Sequence, residues 1–321
     1  MTAFRCRLCN AHRAHSILVR DAKAGGPLPI AFCERCALVQ QAALPDPESL
    51  RDYYAHSYRQ DYKGVHTPKL KHVHRAGLTA LSRLAFLRES GMLSPGKRLL
   101  DIGAGGGEFV YLARRAGFAA EGIEPHVGYS EFAGAEYGVQ IRTMALDELD
   151  CASTEVVTLF HVFEHLADPL AAMRRIHEVL VADGLLFIEV PNILQPDASP
   201  HNIWFKAHLF YYSRHTLAAA ASRWFAPILT NDRGNLRVLF RKRAVPLDLP
   251  LFPTRDEVEH NWRRMVDKGW REYLLSGSAL TKPWRRVCQM MTEHRLAGSP
   301  RSLLDALFSA QSVQAIRPVS R

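Results

Sequence analysis

Residues 99–110 read LLDIGAGGGEFV: an apolar run closed by Asp101, then glycines at 103, 105, 106 and 107, then the start of a helical pattern. Glycine accepts positive φ and leaves the main chain open to close approach, so such a cluster after a short apolar run marks a turn with something seated against the backbone. Nucleotides and adenosyl cofactors are the usual occupants. A dinucleotide turn would read GxGxxG, and the third glycine of that pattern falls here on Glu108; the spacing is instead DxGxGxG.

Outward from this turn the chain alternates strand and helix patterns. RLLDIG is a strand and EFVYLARRAG a helix closed by Gly117; FAAEGIEP and GYSEFAGAEYG repeat the unit, closed by Gly138. VQIRTM and VVTLFHVF supply further strands. DPLAAMRRIHEVLVADG is a helix capped by Asp168, with Pro169 in its first turn and Gly184 beyond its end, and LLFIEV (185–190) is a buried strand stopped by Pro191. SRHTLAAAASRWF is a helix capped by Ser213, followed by a terminal strand pair. Alternation of this kind predicts a mostly parallel, Rossmann-like α/β sheet with helices on both faces. Before it, residues 67–90 read as an amphipathic helix with Leu78, Leu81, Leu84, Ala85 and Leu87 on its apolar side; His72 and His74 diverge on such a helix and are taken as surface residues.

CRLC (Cys6, Cys9) and CERC (Cys33, Cys36) form two CxxC pairs, the layout of a zinc ribbon. Four thiolates close the coordination sphere, so the metal is expected to be structural; the segment between the pairs is too small to fold on apolar burial alone. The N-terminus lacks the apolar stretch of a secretory signal and no segment has the length of a membrane span, so the expectation is a cytoplasmic protein with reduced thiols. The net charge of +9 is uneven: +9 for residues 1–98, −4 for 99–245 and +4 for 246–321. These shifts predict a zinc-binding domain over 1–62, a connecting helical segment over 63–96, the α/β core over 97–245 and a helical extension over 246–321. A cap over the substrate cleft, a dimer contact and plain packing all fit the extension.

DxGxGxG at the end of the first strand, with Glu124 ending the second strand about twenty residues beyond the turn, resembles class I S-adenosylmethionine-dependent methyltransferases. The resemblance implies that Asp101, Gly103, Ala104, Gly105 and Gly107 line the methionyl part of the cofactor, that Glu124 takes the ribose hydroxyls, and that Met144 and Ala145 lie against adenine. FHVFEHLADP (160–169) matches the family's fourth-strand motif, which places Phe160 and His161 at the sulfonium end. The four-cysteine domain, the tyrosines Tyr53, Tyr54, Tyr58 and Tyr62, and then the core together resemble sugar C-methyltransferases and related natural-product and polysaccharide enzymes. Those enzymes carry a Tyr-x-Glu-His run after the fifth strand; here FKAHLFYYS keeps His208 but has Phe205 and Ala207 at the other positions.

Methyl transfer is an in-line displacement, so a base is needed only where the acceptor must lose a proton. His208 and His165 are the expected bases, with Glu164 orienting one of them, because open α/β sheets bind ligands at the carboxyl ends of their strands. Tyr211 and Tyr212 are candidates for the acceptor pocket, and His201 and His215 read as loop and helix-surface residues. The expected partner is a small molecule, such as a sugar, sugar nucleotide or natural-product intermediate, methylated at oxygen or carbon. The competing reading is an RNA base methyltransferase gripping nucleic acid with its ribbon and basic flanks; the lack of an Asn-Pro-Pro-Tyr-type run after strand four lowers it, so nucleic acid is not the expected partner. A non-catalytic binding protein is disfavoured by the intact glycine turn and acids.

Overall fold

The computed structural model describes residues 4–46, 68–92, 94–149 and 154–316. The tyrosines of 53–62 and Cys151 lie outside these residues. In chain order the elements are β1 (Ala14–Arg20), β2 (Pro27–Cys33), β3 (Val39–Gln41), α1 (Leu70–Glu89), β4 (Arg98–Ile102), α2 (Glu108–Arg115), β5 (Ala119–Ile123), α3 (Val127–Tyr137) and β6 (Ile141–Arg142). They continue with β7 (Thr154–Phe160), α4 (Pro169–Val179), β8 (Leu180–Val190), β9 (Phe210–Tyr211), α5 (Arg214–Ala221), β10 (Phe225–Asn231) and β11 (Leu236–Lys242). Four helices close the chain: α6 (Arg255–Val266), α7 (Trp270–Leu275), α8 (Ser278–His294) and α9 (Pro300–Ile316). The larger sheet has the order β10-β11-β8-β7-β4-β5-β6 and the smaller one β1-β2-β3-β9. The larger sheet is mixed and mostly parallel, flanked by helices, with its antiparallel pairs at β8, β11 and β10. Contacts divide the chain into two units, Arg51–Thr158 with Arg286–Arg321, and Met1–Leu50 with Leu159–Arg285.

In the first of these units β4, β5 and β6 run parallel, with Asp101 level with Gly122. Leu99, Leu100 and Ile102 are buried, as expected of a strand covered on both faces. Gly107, at φ 84°, starts α2 in the left-handed region. A Cβ on it would come within 2.7 Å of the Ala133 Cβ, so α2 and α3 pack closely only because that atom is missing. Helix α1 packs through Gly77, where a Cβ would meet Leu304 of α9 at 2.6 Å. Its buried face also holds His74, contrary to the surface position predicted, because residues 74, 77, 81 and 84 fall on one side of a helix. Leu78, read as part of the apolar side, is 49% exposed. The strand predicted over VQIRTM is reduced to Ile141 and Arg142.

In the second unit, β1, β2, β3 and β9 pair antiparallel. Their core includes Ile30, Phe32 and Val39, but also Ile193, Tyr211 and Met265 from far along the chain. Trp262 of α6 stacks on His15 at 4.2 Å. The apolar burial that the N-terminal segment lacks by itself is thus supplied by later segments, and this part of the extension is packing. Asp168 caps α4, accepting from the backbone N–H groups of Leu170 and Ala171. That helix ends at Val179 and not beside Gly184: Leu180 is extended and Asp183 turns through φ 58° within β8. His215, read as a surface residue, is part-buried and lies 3.2 Å from the Asn261 Oδ1.

Candidate active site

The glycine turn is fastened to β5. Gly103 and Ala104 donate their N–H groups to the Ile123 carbonyl at 2.8 and 2.9 Å, and Gly103 and Gly105 take φ of 74° and 57°. Gly105 donates its N–H to Glu124 Oε2 at 2.9 Å, so the second acid braces the turn from the end of β5. Asp101 is buried at the end of β4 and accepts from Thr158 Oγ1 at 2.6 Å. Burial pushes its carboxyl up to about 7, against the Thr158 hydrogen bond and the charge of Arg83. The chain therefore keeps a desolvated acid beside bare backbone, which suits a ligand carrying a cationic amine and hydrogen-bonding groups. Of the glycines predicted to touch a ligand, Gly107 has a packing reason of its own. Met144 and Ala145 follow β6 and are half-buried, with the Ala145 N–H held by Glu148 Oε2 at 2.6 Å.

In the other unit a second set of side chains converges after β7. Glu164 is 1% exposed, and its two carboxylate oxygens accept no hydrogen bond. His161 Nδ1 lies 3.4 Å from Glu164 Oε1, and His165 Nε2 lies 3.9 Å from the same oxygen. Burial opposes the charged carboxylate, but His161, then His165 and His208, hold it at about 2. The His165 Nδ1 sits 2.7 Å from the Ala207 carbonyl, which only a protonated Nδ1 can satisfy, so the Nε2 side of the ring faces Glu164. His208 packs edge-on against His165, ring centres 5.0 Å apart. Burial pulls His208 down to about 4 despite the pull of Glu164, so it is neutral at physiological pH and able to accept a proton.

His161 has a left-handed backbone at φ 56°, an uncommon state for a residue with a Cβ. Its ring is engaged with Glu164, with Glu189 at 3.2 Å and with Asn235 at 3.1 Å. Burial opposes its charge, yet the two acids raise it to about 9. Phe160 beside it packs edge-on against Phe187 at 5.1 Å. Sequence reasoning passed over Thr158, Glu189, Arg237, which pairs with Glu189 at 2.6 Å, and Asn235. A cavity of about 180 Å³ is lined by His208, Tyr211, Asn192, Asn235 and Lys268, among others. Lys268 donates to the Ile193 carbonyl at 2.8 Å, and burial lowers its ammonium to about 8. Tyr211 reaches this cavity, with its hydroxyl donating to the Phe205 carbonyl; Tyr212 is fully buried.

The four cysteines of the N-terminal sheet are buried and reduced, with Sγ atoms 3.5 Å apart for Cys6 and Cys36 and for Cys9 and Cys33. Each CxxC turn is followed by a left-handed residue, Asn10 or Ala37, whose N–H returns to the carbonyl of the first cysteine of its pair. All four Sγ atoms lie within 4.8 Å of one another. One tetrahedral ion with bonds of about 2.3 Å fits a set of this size and chemistry. Hydrogen bonds among the crowded thiols push those of Cys6 and Cys36 up, chiefly through Cys33, and pull that of Cys33 down, chiefly through Cys36.

Residues 71–223 match the family model of a methyltransferase domain. A ubiquinone biosynthesis O-methyltransferase of Neisseria meningitidis serogroup A is 33% identical over 108 residues, covering 30% of this chain and 45% of that protein. A tRNA U34 carboxymethyltransferase of Dichelobacter nodosus is 28% identical over 178 residues, 50% of this chain and 52% of its own. The chain spans about half the length of the curated relatives it matches. Magnesium protoporphyrin IX methyltransferase of Synechocystis PCC 6803 with bound SAH aligns at a TM-score of 0.46 with 16% identity, covering 62% of this chain and all of that one. Among the described residues, no helix is long and apolar enough to cross a membrane.

Proposed function

We propose that this chain transfers a methyl group from S-adenosylmethionine to oxygen or carbon of a small-molecule acceptor, a sugar, sugar nucleotide or natural-product intermediate. The observation that carries this reading is the turn 103–107 braced by Glu124 through the Gly105 N–H beside the buried Asp101. Asp101 and the Gly103, Ala104 and Gly105 backbone would hold the amino-acid end of the cofactor, Glu124 its ribose, and Met144 and Ala145 its adenine. When bound, S-adenosylmethionine supplies an electrophilic methyl on a sulfonium. The neutral His208 would take the proton from the acceptor, while Glu164 would stabilise the imidazolium that forms and His165 would fix the neighbouring geometry.

Cys6, Cys9, Cys33 and Cys36 would hold one structural zinc ion, whose binding contributes on the order of 10 kcal/mol to folding of the segment. The match to a methyltransferase-domain model supports the transfer chemistry; the small cavity beside His208 supports an acceptor of small size. The test is transfer of labelled methyl into a panel of sugar nucleotides, quinone-type phenols and transfer RNA. Label in a small acceptor is expected; label in RNA alone would replace the acceptor class, and no label in any with no cofactor affinity would end the proposal.

A further inference from the structure

Glu164, His165 and His208 offer one carboxylate oxygen and two imidazole nitrogens, all within 4.8 Å of one another. Two features point to a ligand beyond the proton-transfer role. The Glu164 carboxylate is buried; the His161 ring lies 3.4 Å from its Oε1, outside good hydrogen-bond geometry, and Oε2 accepts no hydrogen bond, which costs free energy unless a further positive group completes it. His165, with Nδ1–H committed to the Ala207 carbonyl, turns an Nε2 lone pair toward that same carboxylate at 3.9 Å. Two acceptors facing each other at that separation are too far apart to share a proton. That gap lies within the span of one ion with bonds of about 2.0–2.2 Å to each. The Nδ1–H···O=C contact is the outer-shell bond that fixes the tautomer of metal-bound histidines.

We propose that Glu164, His165 and His208 bind a divalent first-row transition ion, zinc or a close chemical relative, with open positions toward the cavity that His208 lines. Two nitrogens and one carboxylate select such an ion over magnesium or calcium, and three protein ligands leave room for an acceptor oxygen. The ion would lower the pKa of a bound acceptor hydroxyl, so that its proton passes to solvent water; with its lone pair committed to the ion, His208 then acts as a ligand in place of the base. The inference deepens the methyl-transfer reading of this site, but the binding of the ion is measured without it.

The experiment uses the full chain with its cysteine quartet loaded with zinc, titrated with Co²⁺ and followed by calorimetry and visible absorption. One equivalent of Co²⁺ is expected, with d–d bands and without the intense thiolate bands that exchange into the quartet would produce. Glu164→Gln and His208→Asn should each weaken Co²⁺ binding at least tenfold while S-adenosylmethionine affinity stays within twofold. No Co²⁺ beyond the quartet, or equal Co²⁺ affinity in both variants, overturns the site. Should Glu164→Gln fail to fold, His208→Asn, at a part-exposed position, decides alone. Cofactor binding and methyl transfer without Co²⁺ binding would remove this inference only; Co²⁺ binding without cofactor affinity would remove the methyl-transfer reading only.

Discussion

Two clusters of ligating side chains in one unit, the cysteine quartet and the Glu164–His165–His208 trio, differ in how they close. The quartet offers four identical donors from two turns that share one backbone geometry, and four thiolates leave a bound ion no free position. The trio offers three mixed donors drawn from 164–165 and 208, next to a cavity. A closed set can only hold the fold; an open set can act on what enters. The two are joined through Gln41 at the end of β3, whose side-chain amide donates to the Lys206 and His208 carbonyls at 2.7 and 2.8 Å.

That difference can be broken by exchanging the phenotypes. Cys33→Ser should have the largest effect: loss of the bound metal, and a fall in stability of about 3 kcal/mol or more, read by metal content and thermal unfolding. An equally stable, metal-free wild type would contradict it. His208→Asn should lower turnover by about 10²- to 10⁴-fold with unfolding unchanged, measured by steady-state kinetics beside calorimetry. In the wild type, the step should stay insensitive to His208 until pH falls toward about 4, where the ring protonates and ceases to accept.

Asp101 gives a stability test with a definite sign. Its carboxyl is raised in the folded chain to about 7 from 3.8, so the folded state binds the extra proton between those values, and the unliganded protein should lose stability as pH rises from 4 to 7. Asp101→Asn should flatten that slope, with a gain at pH 8 of a few kcal/mol at most, and should weaken cofactor binding; an unchanged slope would show that burial does not control this acid. The smallest effect is expected for Gln41→Ala, which strips donors from two part-buried carbonyls: about 1–2 kcal/mol in unfolding and a several-fold lower turnover, with metal content intact. Equal turnover would uncouple the quartet's sheet from the trio.

What was legible in the sequence follows the range of the interactions. The turn 103–107 and the CxxC pairs are local patterns whose chemistry sits within a few residues, and the alternating strands and helices carry their own periodicity and caps. The end of α4 was misplaced because the pattern through Val181 and Ala182 suits a helix, while the chain is extended from Leu180. β9 completes the small sheet from residues 210–211, and no local signal ties Val39 to Tyr211. Within the candidate site, the Nδ1 bond of His165 to Ala207 and the Arg237–Glu189–His161 chain depend on pairings some 28 to 48 positions apart, which spacing alone cannot reveal.

The most direct test of the central claim is calorimetric titration of S-adenosylmethionine into the wild-type chain and into Gly105→Val. The turn needs φ 57° at this position, where a β-branched residue is strained, and its N–H joins Glu124. One equivalent bound by the wild type and at least a tenfold loss in the variant are predicted. Equal affinity in the two proteins, or a wild type that ignores S-adenosylmethionine and takes a nicotinamide dinucleotide instead, would contradict the account.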